Sequence, residues 1–443
     1  MPNWFERYFE FDKFGTNMRT EVVAGITTFM TMAYILFVNP AILSNAMGKE
    51  AIPSLVTATA LSAGIATIIM GLYAKKSFAL APGMGLNAYF AYSVCLNMGY
   101  PWQVALAAVF VEGVIFIILS ITKFRTAVIN AIPMSQKYAI GAGIGLFLTL
   151  IGLKEAGIIV GSKATLVTLG TQNFVKPEFW LAIFGIFFAC ALMVRRVPGA
   201  LLISILTTTV LAIALGVTPK PESLFSLPTL SYTFMKLDFK GLLNVGAFGV
   251  VFAFFMVDFF DTVGTVTGLS AKAGFLREDG TIPDSEKILL TDAIGTTVGA
   301  ILGTSTVTTY IESAAGIEEG GRTGTVALVV GALFILIGLF ISPIAKVIPA
   351  CATAPALIIV GFLMMNVVRN ITFDDPTEAL PAFFVLATIP FTFSIADGIG
   401  VGFISYCILK LVAGKPKEVH PLLWILAGVF IVYFLYLGGI VKL

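Results

Sequence analysis

Two carboxylates interrupt one of the most apolar stretches of the chain, Val250-Val-Phe-Ala-Phe-Phe-Met-Val-Asp258-Phe-Phe-Asp261-Thr262-Val-Gly264-Thr265. Spaced i, i+3, Asp258 and Asp261 share one helix face. An ionised Asp at the centre of a helix in hydrocarbon costs about 2.5–3.5 kcal/mol on insertion scales, which is tolerable where the residue faces a polar cavity. Glu312 raises the same problem in Gly303-Thr-Ser-Thr-Val-Thr-Thr-Tyr-Ile-Glu312-Ser-Ala-Ala-Gly316. No basic residue lies near the three acids in sequence. Such a pattern suits protonation, cation binding or recognition of ligand N–H donors. Structural hydrogen bonding is the plainer alternative, and it weighs most for Asp258.

The elements that must position these acids are irregular. Residues 304–311 are rich in Thr and Val, followed by Tyr and Ile, and these side chains favour extended backbone. A lone strand in lipid would leave its N–H and C=O groups without partners. Ser77-Phe-Ala-Leu-Ala-Pro82-Gly-Met-Gly85-Leu-Asn87 supplies a second one. Pro82 disfavours helix at Ala81, and Gly83 and Gly85 permit close backbone approach. Two short strands are therefore expected to pair in mid-membrane, each followed by a half-helix whose N-terminus points N–H groups at the centre.

The rest of the chain supplies the membrane. Of 443 residues, 58% are hydrophobic and 12% charged, where a soluble domain carries about 25% charge. Mean hydropathy is +0.97. Apolar segments fall near 22–43, 55–74, 80–97, 102–122, 135–153, 178–194, 199–217, 242–264, 288–303, 304–317, 324–342, 348–367, 380–395, 397–413 and 421–440, many of them near the ~20 residues that span hydrocarbon. Residues 380–413 read either as two crossings or as one re-entrant hairpin. With the N-terminus in the cytoplasm, alternate threading places roughly two-thirds of the Lys and Arg inside. Among them are Lys75, Lys76, Lys123, Arg125, Lys137, Arg195, Arg196, Lys272 and Arg277. Residues 1–20 read as a cytoplasmic segment and not as a signal peptide. The single histidine, His420, excludes a histidine relay or a multi-histidine metal site. Cys95, Cys190, Cys351 and Cys407 lie far apart and suggest neither zinc nor disulfides. No cofactor, metal or nucleic acid is expected.

Remaining acids have blander readings. Asp292 reads as a helix start, Glu112 as a core or proton-carrying residue, and Glu155 and Asp397 as interfacial. Gly141-Ala-Gly-Ile-Gly145 imitates a dinucleotide fingerprint, but in an apolar segment it marks helix packing through small residues.

The chain also repeats itself. Val104-Ala-Leu-Ala-Ala leads to Ile129-Asn-Ala-Ile-Pro133 and Gly145; Val326-Ala-Leu-Val-Val leads to Val347-Ile-Pro349 and Gly361. Pro133 to Gly145 and Pro349 to Gly361 have the same spacing. With an odd number of segments, seven, in each half, the repeats insert with opposite orientation. Many secondary transporters are built this way, with the binding site where the halves meet.

Asp261-Thr-Val-Gly264, Thr309-Tyr-Ile-Glu312-Ser-Ala-Ala-Gly316 and Ala81-Pro-Gly-Met-Gly85-Leu-Asn87-Ala-Tyr89-Phe together resemble the AzgA-like purine permeases, a branch of the nucleobase–ascorbate transporter superfamily. The resemblance runs from Arg19 to about Lys417. It implies an all-α polytopic membrane fold of two inverted repeats of seven segments, with short strands in segments 3 and 10. It also implies a core domain (21–126 and 238–344) and a gate domain (127–237 and 345–443). Asp261 and Glu312 would bind the base and couple the proton. Gly85 and Asn87 match positions linked to substrate in the purine branch, and Asp258 is typical of that branch. Thr265 stands where the uracil branch has a histidine, which moves coupling onto a carboxyl group.

The expected activity is alternating-access import of adenine, guanine or hypoxanthine across the cell's inner (plasma) membrane, with symport of a cation, a proton ahead of sodium. Ala81, Thr309 and Ile311 belong to the expected site. Phe254, Phe255, Phe259 or Phe260 would stack on the ring, Phe260 being the one placed in the site. The lipid bilayer is the surrounding partner, and a homodimer is among the assemblies allowed. The rival readings are an anion transporter of sulfate-permease-like architecture, a uracil or xanthine permease, and a passive channel.

Overall fold

The computed structural model describes residues 4–121, 131–244, 248–275, 277, 282–438 and 440. Lys123, Arg125, Ile129 and Asn130, used above for orientation and for the repeat, lie outside the described residues.

Two short helices, α1 (Trp4–Tyr8) and α2 (Phe11–Phe14), precede the first apolar segment. That segment is not one helix. It divides into α3 (Met18–Met32) and α4 (Ile35–Met47), with Ala33 and Tyr34 at the break. Helix α5 (Ile52–Ile69) widens into π-helical turns through Ala74, and Lys75 then leaves in the left-handed region, φ 54°. Strand β1 (Leu80–Pro82) follows, then α6 (Met84–Ala88), which continues in π turns to Asn97. Helices α7 (Trp102–Ile121) and α8 (Met134–Glu155) come next, α8 starting directly after Pro133. A hairpin of β2 (Ile159–Ser162) and β3 (Leu166–Leu169), with no counterpart among the expected elements, leads to α9 (Pro177–Val194) and α10 (Ala200–Ala214).

The second half carries α11 (Phe239–Asn244), α12 (Phe248–Ala273) and α13 (Ser285–Leu302), the last ended by Gly303 at φ +94°. Strand β4 (Val307–Thr309) and α14 (Ser313–Glu318) form the second broken segment. Then come α15 (Gly324–Gly338), α16 (Ser342–Val347), α17 (Ala350–Met365), α18 (Pro376–Thr392), α19 (Ile395–Val412) and α20 (Pro421–Leu437). Among the described residues, eight helices are long and apolar enough to cross a membrane.

The halves interlock as an inverted repeat requires. Helix α5 packs on α15, and the equivalent α13 packs on α7. Glycines allow the close approach: a Cβ on Gly71 would stand 2.6 Å from the carbonyl oxygen of Gly324. Helices α8 and α17 cross on the repeat axis. There Gly145 meets Gly361, each without room for a Cβ, at 2.5 Å and 2.4 Å from the other's carbonyl oxygen. These are the two glycines that the Pro-to-Gly spacing pairs in sequence. Strands β1 and β4, one from each half, pair with each other in the middle of the bundle.

The ambiguous stretch 380–413 is a helical hairpin that turns at Phe393, φ 55°, and Ser394. Helix α18 lies on α8 as α9 lies on α17, and α19 touches α8 and α12 as α10 touches α17 and α3. The hairpin is therefore the counterpart of α9 and α10. Helix α20 is the addition: it stands beyond the repeat, with Phe430 packed on Phe403 of α19 and Phe252 of α12.

Candidate functional site

The strand pair is the frame of the site. Leu80 faces Thr309, Ala81 faces Thr308 and Pro82 faces Val307, antiparallel. The ladder extends through Gly83 N–H to the Thr306 carbonyl and Tyr310 N–H to the Ala79 carbonyl, both 2.9 Å. Two three-residue strands would leave unpaired edges in an apolar interior. Side chains from the flanking helices close them. The Thr67 hydroxyl of α5 accepts from Leu80 N–H at 2.9 Å and stands 3.0 Å from its carbonyl. Thr296 of α13 donates to the Val307 carbonyl at 2.9 Å, and Ser313 accepts from Ala79 N–H at 2.9 Å. Tyr310 O–H donates to the Pro82 carbonyl at 2.5 Å.

Asp292 does not open a helix. It lies two turns inside α13, fully buried, and takes three hydrogen bonds: from Thr309 N–H at 3.0 Å, Thr309 Oγ1 at 3.1 Å and Thr262 Oγ1 at 2.7 Å. Thr262 also lies 2.9 Å from Thr308 Oγ1 and 3.4 Å from Asp258 Oδ1. Helix α12, strand β4 and helix α13 are thus tied at one point directly behind Asp261.

Asp261 and Glu312 are brought to the same centre. A Cβ built on Gly83, just before α6, would stand 3.7 Å from Asp261 Oδ2. Glu312 immediately precedes α14 and accepts from Tyr34 O–H at 2.5 Å. Asp261 is within electrostatic reach of both Asp292 and Glu312. The space in front of the acids is open. Gly264 and Gly268, three and seven residues beyond Asp261 on α12, are exposed, and a Cβ on Gly264 would meet nothing within 4 Å. Ile311, beside Glu312, is 42% exposed and approaches a Cβ on Gly268 to 3.9 Å. Asp261, Gly264, Gly268, Ile311 and Glu312 thus lie along one partly open face of α12 and the start of α14, on the side toward the end of α12 where Lys272 pairs with Glu318.

The other expected site residues take different places. Ala81 and Thr309 are buried within the strand pair, and the Thr309 side chain is committed to Asp292. Asp258 is fully buried one turn before Thr262. Asn87, also fully buried, accepts from the Ser305 hydroxyl and so ties the first broken segment to the second. Gly85 gives α6 room beside α8: a Cβ there would lie 2.6 Å from Ile144 Cγ2. Phe260 packs edge-on against Phe403 of α19, whereas Phe255 and Phe259 pack on Phe116, and Phe254 on Tyr89. Sequence reasoning missed Tyr34, Thr262 and the part played by Asp292. For Tyr34 the only available signal was a polar group in mid-segment.

The chain matches known proteins along most of its length. Residues 19–401 match the family described as Xan_ur_permease, Permease family. The chain belongs to the nucleobase–ascorbate transporter family. It is similar to the guanine/hypoxanthine permease PbuG of Bacillus subtilis (strain 168), 44% identical over 440 residues, covering 97% of this chain and 99% of that one. It is similar as well to the adenine permease AdeP of Escherichia coli (strain K12), 42% identical over 434 residues, with 98% and 96% covered. Among solved structures, the transmembrane domain of a cyanobacterium bicarbonate transporter, BicA, matches with a TM-score of 0.63 at 17% identity, over 87% of this chain and 97% of that one. At that identity the likeness concerns the fold.

The permease also carries a polar cluster at the far end of α8 from Pro133. Tyr92 donates to Glu155, Asn45 Nδ2 lies 3.1 Å from the Tyr92 hydroxyl, and the Ser93 hydroxyl donates to the Phe393 carbonyl. The Lys154 ammonium stands about 6 Å from the rings of both Tyr92 and Phe393. The end of α4 and the π turns after α6 are thereby held to the end of α8 and the α18–α19 turn.

Proposed function

We propose that this permease imports a purine nucleobase, guanine, hypoxanthine or adenine, in symport with a proton by alternating access. One observation carries the reading: two carboxylates of the second half, Asp261 on α12 and Glu312 at the start of α14, stand beside the strand pair that joins the two repeats, and among the described residues no Lys or Arg stands among their charged neighbours. Carboxylates so placed call for N–H donors or protons. Guanine offers N1–H and an exocyclic amine on one edge; hypoxanthine offers N1–H. Adenine has no N1–H and suits a protonated acid that donates to N1 while accepting from the amine. The identities with PbuG and AdeP support the same substrate class.

Residues 21–126 and 238–344 form the core that holds the strand pair. Residues 127–237 and 345–443 form the gate against which it moves. The basic-residue bias supports a cytoplasmic N-terminus in the cell's inner membrane. The partly open face of α12 then lies on the inner side, and the Tyr92–Glu155 cluster closes the outer side. One acid takes a proton outside and releases it inside, and one charge crossing is worth about 2.3 kcal/mol per 100 mV.

The test is uptake of radiolabelled guanine, hypoxanthine, adenine, uracil and xanthine into cells lacking their own permeases, with a protonophore and with sodium replaced. Purine accumulation that collapses with the protonophore is expected. Asp261→Asn and Glu312→Gln proteins that reach the membrane and still transport normally would remove the site assignment. Uptake of bicarbonate in place of purines would favour the anion-transporter reading that the fold also allows.

A further inference from the structure

Each repeat sends one polar side chain from its first span to the broken segment of the other. Asp261, on α12, reaches Gly83 at the start of α6; Tyr34, at the α3–α4 break, reaches Glu312 at the start of α14. Asp261 is half-buried. Tyr34 is fully buried, and its hydroxyl donates to Glu312 Oε1. A ring packed on all sides cannot carry its hydroxyl elsewhere without leaving it unpaired in an apolar interior, a cost comparable to a lost hydrogen bond. Glu312 therefore has one acceptor position of Oε1 already taken by Tyr34.

We propose that Tyr34 is a positioning residue that sets the preference among purines by occupying Oε1 of Glu312. This rests on the reading of Asp261 and Glu312 given above. A carboxylate with both oxygens free takes two parallel donors, the geometry of a bidentate pair. Guanine presents two adjacent donors, N1–H and the exocyclic amine. Hypoxanthine presents N1–H alone. With Tyr34 taking one acceptor position of Oε1 and fixing the carboxylate's orientation, Glu312 accepts the N1–H of either base, while the guanine amine must share Oε1 with the tyrosine hydroxyl and gains less from it. The device keeps hypoxanthine competitive with guanine.

Tyr34→Phe removes the donor and keeps the ring. In uptake assays the ratio of KM for hypoxanthine to KM for guanine should rise about tenfold, the worth of one charge-assisted hydrogen bond. With Glu312→Gln as background, the same substitution should leave the ratio unchanged. A merely structural Tyr34 would raise both KM values by one factor; that result, an unmoved ratio, or a shift toward hypoxanthine overturns the proposal. The native protein gives a test that needs no variant. As competitors, N2,N2-dimethylguanine should lose less than about threefold against guanine, and 1-methylguanine more than about tenfold. Equal losses also overturn it. If the native protein takes up neither base, the functional reading itself has failed, whereas uptake of both with an unmoved ratio removes the Tyr34 assignment alone.

Discussion

Asp292 is where the geometry of the site is most exposed to a single substitution. In Asp292→Ala, Thr309 N–H loses its acceptor at 3.0 Å, and Thr309 Oγ1 and Thr262 Oγ1 lose theirs at 3.1 and 2.7 Å. The two hydroxyls can turn, and Thr262 has Thr308 Oγ1 at 2.9 Å as an alternative. The backbone N–H cannot turn. One orphaned buried donor costs about 1–3 kcal/mol, and partial loss at the hydroxyls brings the total to roughly 2–5 kcal/mol. Asp292→Asn keeps Oδ1 for both Thr309 donors and presents Nδ2 to Thr262, whose hydroxyl then accepts and donates onward to Thr308; the expected cost is about 1 kcal/mol. The assay is thermal unfolding of the purified protein in detergent, paired with purine uptake by variants of equal membrane abundance. The Ala protein should melt well below the native one and transport poorly, with the Asn protein between them and near native in stability. An Ala protein that melts with the native one, or an Asn protein as damaged as Ala, would refute Asp292 as the tie between α12, α13 and β4.

Two further outcomes follow from the packing. Gly145→Ala puts a Cβ 2.5 Å from the Gly361 carbonyl oxygen and 2.9 Å from Met364 Cβ, so α8 and α17 must separate at a cost of about 1–3 kcal/mol; Gly264→Ala, with nothing within 4 Å, should leave the melting curve unchanged and alter the KM for purine. Equal melting of the two variants would contradict the crossing described here. At the opposite end of α8, Glu155→Gln or Tyr92→Phe should loosen the closure proposed for the outer side. In a protein stripped of its native cysteines, a cysteine at position 93 should then react faster with a membrane-impermeant maleimide applied from outside, and an unchanged rate would mean that these contacts do not hold the outer side shut.

What was legible in the sequence was what depends on local chemistry or on order along the chain. The Thr- and Val-rich run before Glu312 and the Pro82-Gly-Met-Gly85 turn marked the two broken segments, because extended backbone in lipid has few solutions. The Pro-to-Gly spacing marked Gly145 and Gly361 as equivalent positions of a repeat, and the two meet where α8 and α17 cross. Illegible features depend on partners far away. Tyr34 and Glu312 are 278 positions apart, and nothing in Met32-Ala-Tyr34-Ile announces a hydrogen bond. Asp292 was misread as a helix start because the donors that bond to it sit on β4 and α12. Asn87, matched in sequence to a substrate-linked position, also accepts from Ser305 and so joins the broken segments. An Asn beside a glycine-rich turn carries no local sign of which of those two uses the fold makes of it.

The BicA likeness sharpens the question of what converts one frame to different solutes. A strand pair followed on each side by the N-terminus of a short helix is suited by itself to an anion. Here Asp261 and Glu312 stand beside it, and Tyr34 holds one of their four oxygens in place. Two like charges 4 Å apart repel by about 4 kcal/mol at an effective dielectric of 20, enough to weaken binding of a small anion nearly a thousandfold. A neutral ring with N–H groups on its edge meets the same carboxylates as acceptors. On the proposed reading, the two acids, and the tyrosine that orients one of them, favour a neutral base with N–H donors over an anion within this fold.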